Sequence, residues 1–161
     1  MNNLRTKRLT AVDRDLAGML FAMMANVFEE EYETLSDSYL ERLLGRADFW
    51  AIAGFIGADV VGGLTAHILP MTRTERAELF IFDIAVRKDQ QRRGVGGQLM
   101  KALIECAAAV GIHDVFVAAD NDDLHALDFY RALGGVAAPV TLFTFSSREG
   151  RVKDPKSVGA C

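Results

Sequence analysis

Leu79 to Val86, LFIFDIAV, is rich in β-branched and aromatic residues, and it is too short and too sharply flanked to be a helix of its own. It reads as a central strand, and it runs directly into a charged, glycine-rich elbow, RKDQQRRGVGGQLM. From Val86 to Met100 this stretch carries four basic side chains and three glycines ahead of a helical pattern. A strand feeding such a turn, with a helix opening from it, presents unpaired backbone N–H groups and the positive end of a helix dipole at one point, which favours a phosphate. The glycines let the backbone approach a ligand closely, and Arg92 and Arg93 can pair with the phosphates of a nucleotide-like cofactor. On the Gly-x-Gly spacing alone, a plain turn is the competing reading. Neither the dinucleotide fingerprint G-x-G-x-x-G nor the phosphate loop G-x-x-x-x-G-K-[ST] is present.

The rest of the chain supplies layers around that strand. Leu16, Met19, Leu20, Met23, Met24 and Val27 repeat at helical spacing and predict a first helix over about residues 13–30. A Ser38 to Glu41 capping-box pattern predicts a short second helix. Phe49 to Phe55, the turn IGAD and Val60 to Leu69 read as a hairpin closed by Pro70. The helix opening at Gly94 to Gly97 carries its apolar positions at Leu99, Leu103, Cys106 or Ala107, and Val110, with Gly111 placed to end it. DVFVAA reads as a further buried strand. A helix with Asp123 as N-cap and Gly134 as stop follows, and VTLFTF reads as a last strand. The order α, α, β, β, β, α, β, α, β predicts one mixed α/β domain over residues 1–145, followed by a loose tail over 146–161.

Composition removes several classes of function. Two cysteines, Cys106 and Cys161, build neither a disulfide framework nor a paired metal site, and His113 and His125 have no ligand-like spacing, so no metal is expected. A formal charge of −4 argues against a general nucleic-acid binder. The opening stretch lacks a signal-peptide core and no run is long enough for a membrane span, so a cytoplasmic location is expected. The acidic residues are clustered. Asn26 to Glu41 holds Glu29, Glu30, Glu31, Glu33, Asp37 and Glu41, and Asp114 to Asp128 holds five aspartates, both without Lys or Arg. Solvated faces are the ordinary account of such runs.

Two segments in the right order resemble a known superfamily. Gln91-Arg92-Arg93-Gly94-Val95-Gly96 resembles the acetyl-CoA pyrophosphate loop of the GNAT N-acetyltransferases, and the segment from Asp123 through Phe129 and Tyr130 to Gly134 resembles its later helix. YLERLL, VVGGLTAHILP, ELFIFDIAV and DFYRALG together look like the GNAT-type aminoglycoside 3-N-acetyltransferases, over about residues 28–135. The match weakens between the first two helices and around AADNDD, where substrate would sit.

The resemblance implies a GNAT fold: a central, mostly antiparallel sheet with a splayed, bulged strand at the acetyl-CoA site and helices on both faces. It implies acetyl transfer from acetyl-CoA, leaving coenzyme A, to an amine of an aminoglycoside such as gentamicin, the 3-amino group by the pattern matched, with antibiotic resistance as the outcome. The backbone of Ile84, Ala85 and Val86 would pair with the pantetheine arm, while Gln91, Arg92, Arg93, Gly94, Val95, Gly96, Gly97 and Gln98 would hold the phosphates. Tyr130 would serve as proton donor to the sulfur.

Asp83, embedded in IFDIAV, is the candidate base, since burial raises a carboxyl pKa toward a useful range. Closing a hydrogen-bond network at the bulge is its structural alternative. Glu78 falls on the opposite face of an ideal strand from Asp83, so the two form no close pair unless a bulge intervenes. His67 could line the acceptor cleft, although a packed strand histidine is the simpler account. A polycationic acceptor would be held by carboxylates drawn from Glu29, Glu30, Glu31, Glu78, Asp120, Asp122 and Asp123. A GNAT enzyme for a polyamine, amino sugar or protein amine is the alternative, as is a non-catalytic acetyl-CoA-binding module. A homodimer through an edge strand or a helix is compatible with the sequence, which fixes no interface.

Overall fold

The computed structural model of the chain describes residues 3–147. Its elements are β1 (Leu4–Arg8), α1 (Arg14–Phe28), α2 (Asp37–Leu44), β2 (Phe49–Ile56), β3 (Asp59–Pro70), β4 (Ala77–Val86), a 3-10 turn (Lys88–Gln90), α3 (Val95–Ala109), β5 (Asp114–Val117) and α4 (Leu124–Ala132). The described backbone divides into two compact units, the first ending at Val117 and the second beginning at Ala118. The first holds a five-stranded sheet in the order β1-β2-β3-β4-β5, antiparallel except for the β4/β5 pair. The second holds α4, whose N-cap Asp123 accepts from the Ala126 N–H at 3.0 Å. Gly134 at φ +90° and Gly135, whose N–H donates to the Tyr130 carbonyl at 2.9 Å, close the helix.

Helices cover both faces of the sheet, and two adjacent glycines show how closely. On one face Leu9, Leu20, Met24, Leu40 and Leu44 pack with Phe49, Ala51, Ala53 and Ala85. On the other, Val95, Leu99, Leu103 and Ala107 of α3 are buried with Trp50, Ile52, Leu64 and Ile81. A Cβ on Gly63 would lie 2.3 Å from Leu20 of α1, and one on neighbouring Gly62 would lie 3.1 Å from Val95 of α3. Side chains alternate across a strand, so this pair admits one helix to each face.

The β3/β4 ladder carries the feature that shapes the site. Thr65 pairs with Asp83 and Ala66 with Ile81, which leaves Phe82 as an extra residue in β4, a β-bulge. Beyond Ile81 the outer edge of β4 has no strand partner among the described residues, because the β5 register stops at Ile81↔Val117.

Several expectations need correction. β1 was not foreseen. Its sequence, LRTKR, is exposed at all but one position and shows no apolar alternation, a pattern suited to a charged edge strand. The N-cap of α2 is Ser36, whose hydroxyl accepts from the Tyr39 N–H at 3.2 Å, rather than Ser38, because Ser36 has the extended backbone a cap requires. Met19 and Val110 are 52% and 58% exposed and belong to no core. β5 is half-exposed rather than buried, since it is an edge strand. VTLFTF forms no strand. Its alternation offers an apolar face but no backbone ladder is made, and Val140, Phe143 and Phe145 are exposed. From residue 148 onward, the expected tail lies outside the described residues.

Gly63→Ala must push Leu20 away and also meets the Ile52 carbonyl at 2.7 Å, so it is expected to cost about 1–3 kcal/mol in chemical denaturation. Gly18→Ala, in α1 with only Leu40 at 4.0 Å, should stabilise by about 0.5–1 kcal/mol. Equal effects at the two positions would refute this account of the packing.

Candidate active site

The bulge decides what Asp83 faces. Asp83 opposes Thr65, which opposes Ala51 of the α1/α2 core, so it lies on the face covered by those helices. Without the extra residue, the alternation would turn it toward α3. Half-buried there, its carboxyl is pushed up to about 6, first by burial and second by the negative charge of Glu30 just past the end of α1. A carboxylate so placed can take up a proton near neutral pH.

The same extra residue brings Glu78 round to the Asp83 face. Glu78 opposes Leu69, two residues from His67, and His67 packs on Phe49 of the α1/α2 core at 5.3 Å. The strict-parity expectation for Glu78 is therefore overturned. The two carboxylates still form no close pair, because Leu69 and Thr65 stand four ladder positions apart, roughly 13 Å along the strand.

The other acidic candidates separate into paired and open groups. Glu29 adopts a left-handed backbone at the end of α1 and binds Lys88 Nζ at 3.0 Å, an ion pair across the mouth of the elbow. Glu30 and Glu31 are exposed. In the second unit, Asp120 accepts from the Asp122 N–H at 2.9 Å and Asp123 caps α4, so two of these three aspartates shape their own loop, while Asp122 is exposed. Tyr130 lies in the last turn of α4 with its ring 5.2 Å from that of Phe129.

The elbow sorts its four cations. Arg87 makes two hydrogen bonds to Asp89, at 2.6 and 2.9 Å, which hold the Asp89 carboxyl down at about 2. Gln90 donates to Asp89 and accepts from Arg93 at 3.3 Å, which continues the network across the turn. The Gln91 side chain donates to the Val86 carbonyl at 3.0 Å and ties the loop to the end of β4. Arg87 and Lys88 are thus engaged with carboxylates. Arg92 and Arg93 are exposed and face none among the described residues.

The residues present suit a phosphate-bearing cofactor. Gly94 is the N-cap of α3 at φ +80° with no side-chain cap, and no acidic residue stands in the first turn. A Cβ at Gly94 would meet nothing within 4 Å, so the space before the helix is open. Val95 is an anchor, 2% exposed, whereas Gly96 and Gly97 are half-buried and Gln98 is exposed. Ile84, Ala85 and Val86 lie where, among the described residues, no strand pairs with the outer edge of β4, and the Ile84 and Ala85 side chains are buried. An extended chain could pair there as an added strand. Among the described residues, no group of His, Cys, Asp and Glu is arranged to hold a metal ion. No described helix is long and apolar enough to cross a membrane.

Comparison with known proteins agrees with this geometry. An aminoglycoside acetyltransferase from an uncultured soil metagenomic sample, solved with sisomicin, is 30% identical, with 91% of this chain and 98% of that one covered at a TM-score of 0.87. A second aminoglycoside acetyltransferase, also from an uncultured soil metagenomic sample, is 32% identical over 91% and 99% of the two chains, also at 0.87. An uncharacterized N-acetyltransferase of Bacillus subtilis (strain 168) is 34% identical over 98 residues, which span 61% of this chain and 56% of that protein. The model of the Acetyltransferase (GNAT) family, whose members take acetyl-CoA, matches residues 17–134, and the chain, with its bulged central strand and glycine elbow, belongs to that family.

Proposed function

We propose that this chain transfers the acetyl group of acetyl-CoA to an amine of an aminoglycoside, the 3-amino group of gentamicin-type drugs being the position that the sequence resemblance selects. The observation that carries the reading is the setting of Asp83: a carboxyl raised to about 6, on a face shared with Glu78 and near Glu30, beside an unpaired strand edge and an uncapped helix. The likeness to two metagenomic aminoglycoside acetyltransferases at 30% and 32% identity supports the acceptor class.

Acetyl-CoA supplies an activated thioester carbonyl when bound. Arg92, Arg93 and the first-turn N–H groups of α3 would hold its phosphates, and the open edge of Ile84 to Val86 would hold its arm. Asp83 accepts the proton that the acceptor ammonium must lose, directly or through one water, so that nitrogen presents its lone pair. Tyr130 would supply the phenolic proton that neutralises the leaving sulfur, a role that rests on the family resemblance, and the second proton that nitrogen sheds as the amide forms would restore the phenol. Glu30 and Glu78 attract the remaining ammonium groups.

Thiol release from acetyl-CoA, with sisomicin, gentamicin, spermidine and a peptide amine as parallel acceptors, tests the reading. A kcat/KM of about 10⁴ M⁻¹s⁻¹ or above on the drugs is expected. Turnover confined to spermidine or peptide would move the acceptor class, and tight acetyl-CoA binding without turnover would leave a binding module.

Asp83 must be unprotonated to act, so activity is expected to fall as pH drops through about 6, and Asp83→Asn should remove that limb together with roughly 10²-fold or more of the rate. Glu30→Gln should shift the limb to lower pH, because it removes a charge that opposes ionisation of Asp83. The effect on stability has the opposite sign. A folded pKa of about 6, above the ordinary 3.8, means that stability falls as pH rises between those values. Asp83→Asn should therefore stabilise the protein at pH 7.5 by about 1–2 kcal/mol, after a discount for partial solvent screening. A wild-type rate that stays level from pH 7.5 to pH 5 would exclude Asp83 as base.

Tyr130→Phe should lower kcat at least tenfold with little change in KM, a loss within the range of general acid catalysis. Arg92→Ala should weaken acetyl-CoA binding by calorimetry roughly tenfold, as the loss of one charge-assisted contact implies, whereas Arg87→Ala acts through loop order.

A further inference from the structure

The bulge that turns Asp83 also leaves an aromatic row open on the same face. Phe80 opposes His67 in the ladder and Phe116 in β5, and the Phe80 and Phe116 rings lie 5.0 Å apart, tilted by 32°. Phe82, the extra residue, packs edge-on against both Phe80, at 6.2 Å, and His67, at 5.8 Å. Phe82 and Phe116 remain 43% and 44% exposed, although adjoining strand positions Leu79 and Ile81 are buried to 1% or less.

The strands that carry this row bring only acidic charge, while Arg73 and Arg76 lie in the loop that leads into Glu78. β3, β4 and β5 contain Asp59, Glu78, Asp83 and Asp114 and no Lys or Arg. Glu78 and Asp114 are register neighbours, so their carboxylates stand on one face at the far end of the row, and a shallow cavity of about 460 Å³ lined by Glu78, His113, Asp114, Val115 and Phe116 opens beside them. Open aromatic faces attract ammonium groups through the ring quadrupole, and flat apolar rings also receive the C–H faces of sugars.

We infer that Phe80, Phe82 and Phe116, with Glu78 and Asp114 at their outer end, form the shelf on which the rings of a polycationic amino sugar lie while one of its amines reaches Asp83. This rests on the aminoglycoside reading above and adds to it the surface that selects a ringed acceptor over a linear one. The roughly 13 Å from Glu78 to Asp83 suits an acceptor of two or three linked rings. Distal charge is read at one end and chemistry is done at the other.

The test is steady-state kinetics of the full chain and of Phe82→Leu, Phe116→Leu and the double variant, with sisomicin and spermidine as acceptors. Leucine keeps apolar bulk but removes the ring face. The expected result is a rise in KM for sisomicin of roughly three- to tenfold per ring, a smaller change for spermidine, and an unchanged KM for acetyl-CoA. Phe116→Trp should retain or lower the sisomicin KM. If wild type acetylates sisomicin and the leucine variants keep its KM, the shelf plays no part in binding and the inference falls while the acceptor reading stands. A dimer that the double variant converts to monomer, at unchanged KM, would assign the shelf to self-association instead. Failure of wild type to acetylate any aminoglycoside would remove the acceptor reading, and the shelf with it.

Discussion

One additional residue in β4 governs this molecule. An antiparallel ladder fixes which face every side chain takes, and a single insertion reverses that assignment for everything on one side of it. Here the insertion is Phe82. It leaves Leu79 and Ile81 in the core, turns Asp83 toward the α1/α2 face and brings Asp83 and Glu78 to the same side. A carboxylate facing α3 instead would be sealed beneath Val95, Leu99 and Leu103, unpaired and out of reach of any acceptor.

The elbow that follows depends on the same strand. Its ion pairs are exposed, so each contributes little to overall stability, yet together they decide which cations remain available. Arg87 and Asp89 brace the turn, Lys88 reaches back to Glu29, and Gln91 fastens the loop to the Val86 carbonyl. What remains for a ligand is Arg92, Arg93 and the bare start of α3. A basic cluster that looks uniform in composition is thus divided into structural and available halves by carboxylates placed two residues and 59 residues away in sequence.

That division marks the boundary of what was readable from the chain alone. The helices with strong periodicity, the hairpin with Gly57 in its turn, the central strand and the elbow were all legible, because each is encoded within a short window. β1 was not, since a charged edge strand lacks apolar alternation and exists only because Ile52 to Ile56 offers it a partner. VTLFTF errs in the opposite direction: its alternation is local, but a ladder is not. Asp83 was legible as a carboxyl in an apolar run, whereas the placement of Glu78 turned on a bulge that no residue type announces. The aromatic shelf was hidden for the same reason, because Phe80, Phe82 and Phe116 read as ordinary strand residues until register puts them side by side.

The proposed shelf would also answer a constraint that a basic role for Asp83 imposes. A polycation could be held most simply by more carboxylates, but every carboxylate brought close to Asp83 pushes its pKa higher, as Glu30 already does. Far enough up, the group would be protonated at neutral pH and could not fill the proposed role of base. Aromatic rings attract ammonium groups without net charge and without titrating. Rings near Asp83, with Glu78 and Asp114 kept at the far end, would let the proposed shelf bind positive charge without raising the Asp83 carboxyl further. On this reading, bulge, rings and distant acids are parts of one electrostatic arrangement.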